Sequence, residues 1–480
     1  MSILICSNGI FHTAYFPAFR YLIVDFKNNS CTNYLIPIFA RCISIKEMIT
    51  IYTPKVTARV KYTFNLFFKY LLNTDYCITS NIDEFLSSEG PKFSYCDKPV
   101  LDELHFWKHP ILTESNILEQ NISIIPFAES KAFFPAPKNS AMPFDVFAAT
   151  FYLLSRYEEY LPYIKDMYGR FSAKESLAFK QGFLYKPVVN IWAIELAKVI
   201  QQHFPDFQTK KRTYKFTPTL DIDSAYAYRL KGFIRSTGGY LKSLYHFDFK
   251  EIIERTNVFM GFEQDHFDTY EYQFSLQKKY NIKPIYFILF GIYGQYDKNL
   301  PVNNKRFQNL IKTLADYAEV GIHPTFASNN NEEMLKTEIE SLSKVLNRQI
   351  TKSRQHFLKL SMPETYRSLV KYDITDDYTM GFALEPGFRA GICTPFPFFD
   401  LEMDEELPLM VHPFTFMEGT FRDYKQMNAE ESWPIIKQLI DEVKAVNGTF
   451  ISLWHNESLS DRRRWVGWRK LYEQMYEHAL

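Results

Sequence analysis

No run in the 480-residue sequence approaches the roughly 18 to 20 consecutive apolar residues needed to span a bilayer. The opening stretch MSILICSNGIFHTAYFPAFRYLIVDF lacks the basic start, apolar middle and small-residue cleavage site of a signal peptide. Cysteine is sparse. Cys6, Cys31, Cys42, Cys77, Cys96 and Cys393 crowd toward the N-terminus, with no CxxC pair and no spacing suited to a zinc knuckle or a disulfide framework. These absences predict a reduced, cytoplasmic setting. Net charge is missing too: Lys+Arg and Asp+Glu balance at 55 each, which removes any global electrostatic argument for nucleic acid or an anionic membrane. There is no internal repeat at a period of roughly 20 to 50 residues and no low-complexity tract.

What is present is a globular composition, 46% apolar and 23% charged, in a chain long enough for two domains. Aromatics are heavily used, with 44 Phe and 32 Tyr; some of that excess must sit in the cores, and that much Tyr also suits sugar-binding clefts. Over residues 1–205 short strand-like runs (Tyr21 to Phe26, Asn33 to Phe39) mix with helical periods at Val60 to Asn73, Phe144 to Tyr160 and Val188 to Phe204. The polar stretch PDFQTKKR, Pro205 to Arg212, reads as a linker. From 213 to 480 the texture changes. Strand-like runs at Tyr214 to Leu220, Pro284 to Phe290, Glu319 to His323, Ser353 to Leu360, Tyr378 to Leu384, Leu409 to Phe414 and Thr449 to His455 alternate with helical periods. These helical periods are Asn304 to Ala318, Glu332 to Leu346, Pro363 to Tyr372 and Ala429 to Val446. Such alternation implies parallel strands with crossover helices, and the number of units favours a barrel over an open sheet.

Polar residues gather where those strands end. Asp221 and Asp223 close the first, His323 the third; Arg354 and His356 follow, then Arg389, and last His455. In a parallel barrel, catalytic groups collect at the carboxyl ends of strands. Two carboxylates at i and i+2 share a face and repel unless a cation or an Arg compensates. One of the pair therefore reads as a metal ligand and the other as a general base. Imidazole with carboxylate is the ligand mix of a catalytic zinc or similar ion, which lowers the pKa of bound water toward about 7. Arg354 beside the Asp pair would hold the base ionised, and His455 would donate a proton to a leaving amine.

The ordered series TLDID, GIHP, SRQHF, GFRAG and ISLWH resembles the motifs of the polysaccharide deacetylases with the NodB-homology domain, a carbohydrate esterase family 4-like group. It looks closest to a divergent bacterial branch found among surface-polysaccharide genes, with an extra N-terminal region similar to FDVFAATFYLLSRYEEY here. The resemblance implies an α/β protein: a distorted (β/α)7 barrel over residues 213–480, preceded by a smaller α/β N-terminal domain over 1–205. Carried over residue by residue, it makes Asp221 the general base and Asp223 a metal ligand, although the inserted Ile222 leaves those roles exchangeable. His323 matches the first histidine of the family's H-x3-H, but Ala327 stands where the second belongs. His356 replaces a family proline and is expected to supply the missing imidazole. Arg354 would orient the base, the Phe357 N–H would help form an oxyanion hole, and His455 would be the general acid. Arg389 and Glu418 receive no role from the family.

The expected function is metal-dependent hydrolysis of an acetyl group from an N- or O-acetylated sugar, with zinc as the expected cofactor. The expected substrate is an acetylated sugar, or a nucleotide- or lipid-linked glycan, handled during surface-polysaccharide biosynthesis. Nucleic acid is not an expected partner. Two alternatives stand beside it: a catalytically degenerate carbohydrate-binding protein on the same barrel, and a glycosidase pairing Asp221 or Asp223 with Glu418.

Overall fold

The computed structural model describes strands β1 (Ser2–Ser7) and β2 (Ile10–Tyr15), and residues 48–480. The strand-like runs at Tyr21 to Phe26 and Asn33 to Phe39 lie outside the described residues. β1 and β2 pair antiparallel in a unit that ends at Ile45, and residues 46–480 form one further compact unit.

That larger unit is mixed α/β. Its first sheet is parallel, in the order β4 (Tyr76–Thr79), β3 (Ile49–Tyr52), β5 (Lys92–Cys96), β6 (His105–Trp107). A small antiparallel ribbon, β7 (Ile124–Phe127) with β8 (Ser130–Phe133), follows. The expected helix at Phe144 to Tyr160 runs only over Val146–Leu154, capped by Asp145, and every residue in it is buried. It stops because Arg156 takes a left-handed φ of 54°. Glu158 and Glu159 then turn inward to pair with Arg156.

Nine strands make the second sheet: β9 (Lys215–Ile222), β10 (Ile285–Leu289), β11 (Glu319–His323), β12 (Lys352–Ser353), β13 (Asp376–Asp377), β14 (Phe396–Asp400), β15 (Glu405–Val411), β16 (Phe416–Met417) and β17 (Thr449–His455). Their order is β14-β15-β13-β12-β11-β10-β9-β17-β16. All neighbours are parallel except β14 and β15, whose four-residue link is too short for a parallel crossover. Crossover helices at Lys305–Tyr317, Glu332–Leu346, Glu364–Lys371 and Ala429–Ala445 match the sequence periods closely. Of two expected strands, Ser353 to Leu360 keeps only its first residue in β12 and Tyr378 to Leu384 forms no strand, the pairing residues being Asp376 and Asp377 just before it. After Ser353 the chain turns out through Phe357 and Leu358, both left-handed. After Asp377 its own carboxylate accepts from the Thr379 N–H (2.9 Å) and hydroxyl (2.7 Å), which folds the backbone out of extended form. β14 went unread, because Pro397 interrupts a run that is buried throughout.

The sheet curls. Between Val411 and Phe416 the chain crosses from one flank to the other: the His412 N–H donates to Asp377, and the Thr415 N–H donates to Ile451 of β17. Phe287, Tyr378, Phe414, Ile451 and Leu453 consequently meet in one interior cluster, separate from the main core. Gly321 makes this possible on β11, since a Cβ there would lie 2.7 Å from the Phe287 ring. Among the described residues no helix is long and apolar enough to cross a membrane, and Cys77, Cys96 and Cys393 are free thiols.

Candidate metal and acid–base site

β9, β11 and β17 end side by side, and the turn after β12 closes over them. Asp221, in register with Phe287 on one side and His455 on the other, is buried. Its Oδ1 accepts from Arg354 Nη1 at 2.8 Å. The same Nη1 donates to Thr219 Oγ1 at 2.7 Å, and Arg354 Nε donates to the Tyr378 carbonyl at 3.0 Å. Wholly buried, the guanidinium also lies over the Phe287 ring at 4.6 Å. Arg354 therefore fixes one oxygen of Asp221 and leaves the other facing the site.

His323 donates from Nδ1 to the Arg354 carbonyl. A carbonyl only accepts, so this bond places the imidazole hydrogen on Nδ1 and leaves a lone pair on Nε2. That Nε2 lies 3.3 Å from Asp223 Oδ1 and 3.7 Å from Asp221 Oδ2. His356 repeats the arrangement. Its Nδ1 donates to buried Asp297 at 2.7 Å, and its Nε2 lies 3.5 Å from Asp223 Oδ2. Asp297 also accepts from the Phe326 N–H at 2.8 Å on the same Oδ1 that takes the His356 hydrogen, so that oxygen is held by two donors. One ligand atom each from Asp223, His323 and His356 all fall within 4.8 Å of one another. Asp223 Oδ1, shielded from solvent, has no hydrogen-bond partner.

The donor set fits a divalent cation. His323 has spent its hydrogen elsewhere, so its lone pair faces a carboxylate oxygen with no proton available between them. Burial pushes the Asp223 carboxyl up, but the charge of His356 beside it outweighs that and holds it well below the usual carboxylate range. Burial pushes His356 down, yet Asp223 and Asp297 together carry it to about 9. Imidazoles backed by a carboxylate and a carbonyl are the outer support that metal-binding histidines use.

His455 closes the opposite wall. Its Nδ1 and backbone N–H both donate to Glu418 Oε1, at 2.9 and 2.7 Å, and its Nε2 lies 3.8 Å from Asp223 Oδ2. Burial lowers its affinity for a proton, but the Glu418 charge beside it raises that affinity well above the ordinary imidazole value. Phe357 lines the same cleft of about 250 Å3, with Arg170, Tyr424, Arg464 and Trp465 around the mouth. Arg170 Nη1 donates to the Phe357 carbonyl at 2.8 Å and so anchors the turn.

Every residue singled out at the strand ends meets here except Arg389. That side chain is buried away from the cleft, bonded to Glu159 at 2.6 and 3.0 Å. Asp297 and the role of Glu418 were missed. Asp297 sits in a loop, GQYDKN, with no motif to mark it. Glu418 follows β16, a strand only two residues long.

A family model described as a family of unknown function (DUF7033) matches residues 49–205. No curated protein matches the chain. Among solved structures it is similar to two proteins assigned as polysaccharide deacetylases, from Mycobacterium smegmatis and Pseudomonas aeruginosa PAO1. Each is 11% identical with a TM-score of 0.36, over 56% of this chain and 85% of the other. It is also similar to a CE4 family pseudoenzyme from Bacillus anthracis, at 11% identity and a TM-score of 0.26, over 55% of this chain and 63% of that one. At that identity and superposition these likenesses assign no function, and what the chain does has to be argued from its own side chains.

Proposed function

We propose that the chain is a metal-dependent hydrolase that removes an acetyl group from an N- or O-acetylated sugar, on a distorted (β/α)7 barrel of the NodB-homology kind. One observation carries the reading: Asp223, His323 and His356 present acceptor atoms to a common point, with both imidazole hydrogens committed outward. These three would hold the ion, and two imidazoles with one carboxylate favour zinc. A divalent cation held there supplies Lewis-acid polarisation of a carbonyl.

The remaining residues divide the proton work. Asp221, oriented by Arg354, takes a proton from the attacking water. The Phe357 N–H, in the turn anchored by Arg170, helps bind the oxygen that becomes negative. His455, kept protonated by Glu418, hands its proton to the departing amine or alkoxide. Tyr424, Phe357 and Trp465 line the cleft and give it the aromatic surface on which a pyranose packs. The glycosidase alternative is disfavoured because Glu418 is fully buried and already occupied by His455.

Elemental analysis of purified protein, paired with acetate release from a panel of acetylated sugars, tests the proposal. Wild type should carry about one zinc per chain, and Asp223→Ala, His323→Ala and His356→Ala should each lose it. Asp221→Asn should keep the ion while its rate falls about a hundred- to ten-thousand-fold. A wild-type protein that takes up no divalent metal would leave only the non-catalytic, carbohydrate-binding reading.

A further inference from the structure

Between β9 and β10 the chain inserts two antiparallel helices, Phe233–Tyr245 and Phe249–Met260, whose amphipathicity is inside out. On the first, Ser243 is the residue that buries, and Gly239 packs against the Arg255 guanidinium. On the second, Arg255 itself is buried, and Val258 is the one apolar side chain buried with it. The apolar positions face solvent instead: Phe233, Ile234, Leu241 and Tyr245 on one helix, Phe249 and Ile253 on the other. Ile234, Leu241 and Tyr245 recur at helical spacing, so they form a continuous stripe. Phe233 and Ile234 keep 85% and 86% of their surface exposed, far beyond what a scattered surface hydrophobe requires.

The charge on this hairpin selects what covers the stripe. From Lys231 to Phe247 there is no acidic residue. Glu251 and Glu254 are neutralised by Arg255 and Arg463, whereas Lys242 and Lys250 make no ion pair among the described residues. A second copy of the chain docked face to face would bring these lysines against themselves. An anionic bilayer surface meets both demands at once, taking the Phe, Tyr, Ile and Leu side chains among its acyl chains and the ammonium groups among its phosphates.

We infer that this hairpin seats the protein on an anionic lipid surface. The placement also suits the cleft. Arg463 pairs with Glu254 of the hairpin, while its neighbours Arg464 and Trp465 line the cleft mouth. A glycan carried on a lipid would thus arrive beside Asp223 and His455. That consequence rests on the proposed hydrolase reading; the membrane contact does not.

Flotation of the full chain with vesicles tests it. Wild type should float with phosphatidylglycerol–phosphatidylcholine vesicles, stay behind with phosphatidylcholine alone, and detach as salt is raised. The double variant Ile234→Glu/Leu241→Glu, altered only at exposed positions, should lose binding at least about tenfold. Its acetate release from a soluble acetylated sugar should be unchanged, which separates failure of this inference from failure of the hydrolase reading. Two results would overturn it: equal flotation of wild type and variant, or a lipid-free dimer in sedimentation velocity that the same variant dissolves.

Discussion

Arg354 serves two neighbours through different atoms. Its guanidinium grips Asp221, and its carbonyl fixes the tautomer of His323. Glu418 plays a comparable part for His455, and a prediction follows from its charge. In the proposed reaction His455 donates to the leaving atom and has to be protonated, so the alkaline limb of the rate profile would report its pKa. Burial depresses that pKa and Glu418 more than restores it. Glu418→Gln should therefore move the alkaline limb to lower pH with the metal content intact, as read from kcat against pH. Asp221, Asp223, His323 and His455 were legible in the sequence because each ends or directly follows an apolar run, and Arg354 and His356 because SRQHF resembles a family motif. Asp297 was not. Its bond to His356 spans 59 residues, and only the packing of a loop brings them together.

At the level of elements, caps and close approaches decide what periodicity leaves open. Asp145 accepts from four donors: the Tyr95 hydroxyl (2.7 Å) and the N–H groups of His109 (2.6 Å), Phe147 (3.0 Å) and Ala148 (2.9 Å). Asp145→Ala would strand all four in a buried place and should cost about 2–4 kcal/mol, read as a drop in the urea midpoint. The crossover helices Lys305–Tyr317, Glu332–Leu346 and Ala429–Ala445 were predicted nearly to the residue, because each carries one apolar face over several turns, whereas the helices between β9 and β10 went unread. Residues 353–360 and 378–384 read as strands on composition alone. The bonds that bend them, from His356 to Asp297, from Arg170 to Phe357 and from Thr379 to Asp377, involve specific partners that apolar periodicity does not encode.

Across the larger unit, a buried ionic chain joins the turn after the helix Val146–Leu154 to the loop that precedes β14. Arg156 bonds Glu159 at 2.7 Å, Glu159 bonds Arg389 at 2.6 Å, and Arg156 also donates to the Arg389 carbonyl at 2.6 Å. Burial raises the Glu159 carboxyl, but the two guanidiniums more than reverse that and leave it lowered. Its contribution is therefore whole above the unfolded value of about 4.3 and is lost as acid carries the pH down through the folded one. Glu159→Ala would leave two guanidiniums under-paired in the interior and should destabilise by about 3–5 kcal/mol in chemical denaturation, with an unchanged m-value.

The anchor from Arg170 to the Phe357 carbonyl bears on how the chain can be cut. Expressing residues 213–480 alone would not give a self-sufficient unit. It would pull one wall out of the cleft, expose Arg389 without its counter-ion, and release the turn that carries His356. The shortest fragment worth making starts near Lys46, where the larger compact unit begins.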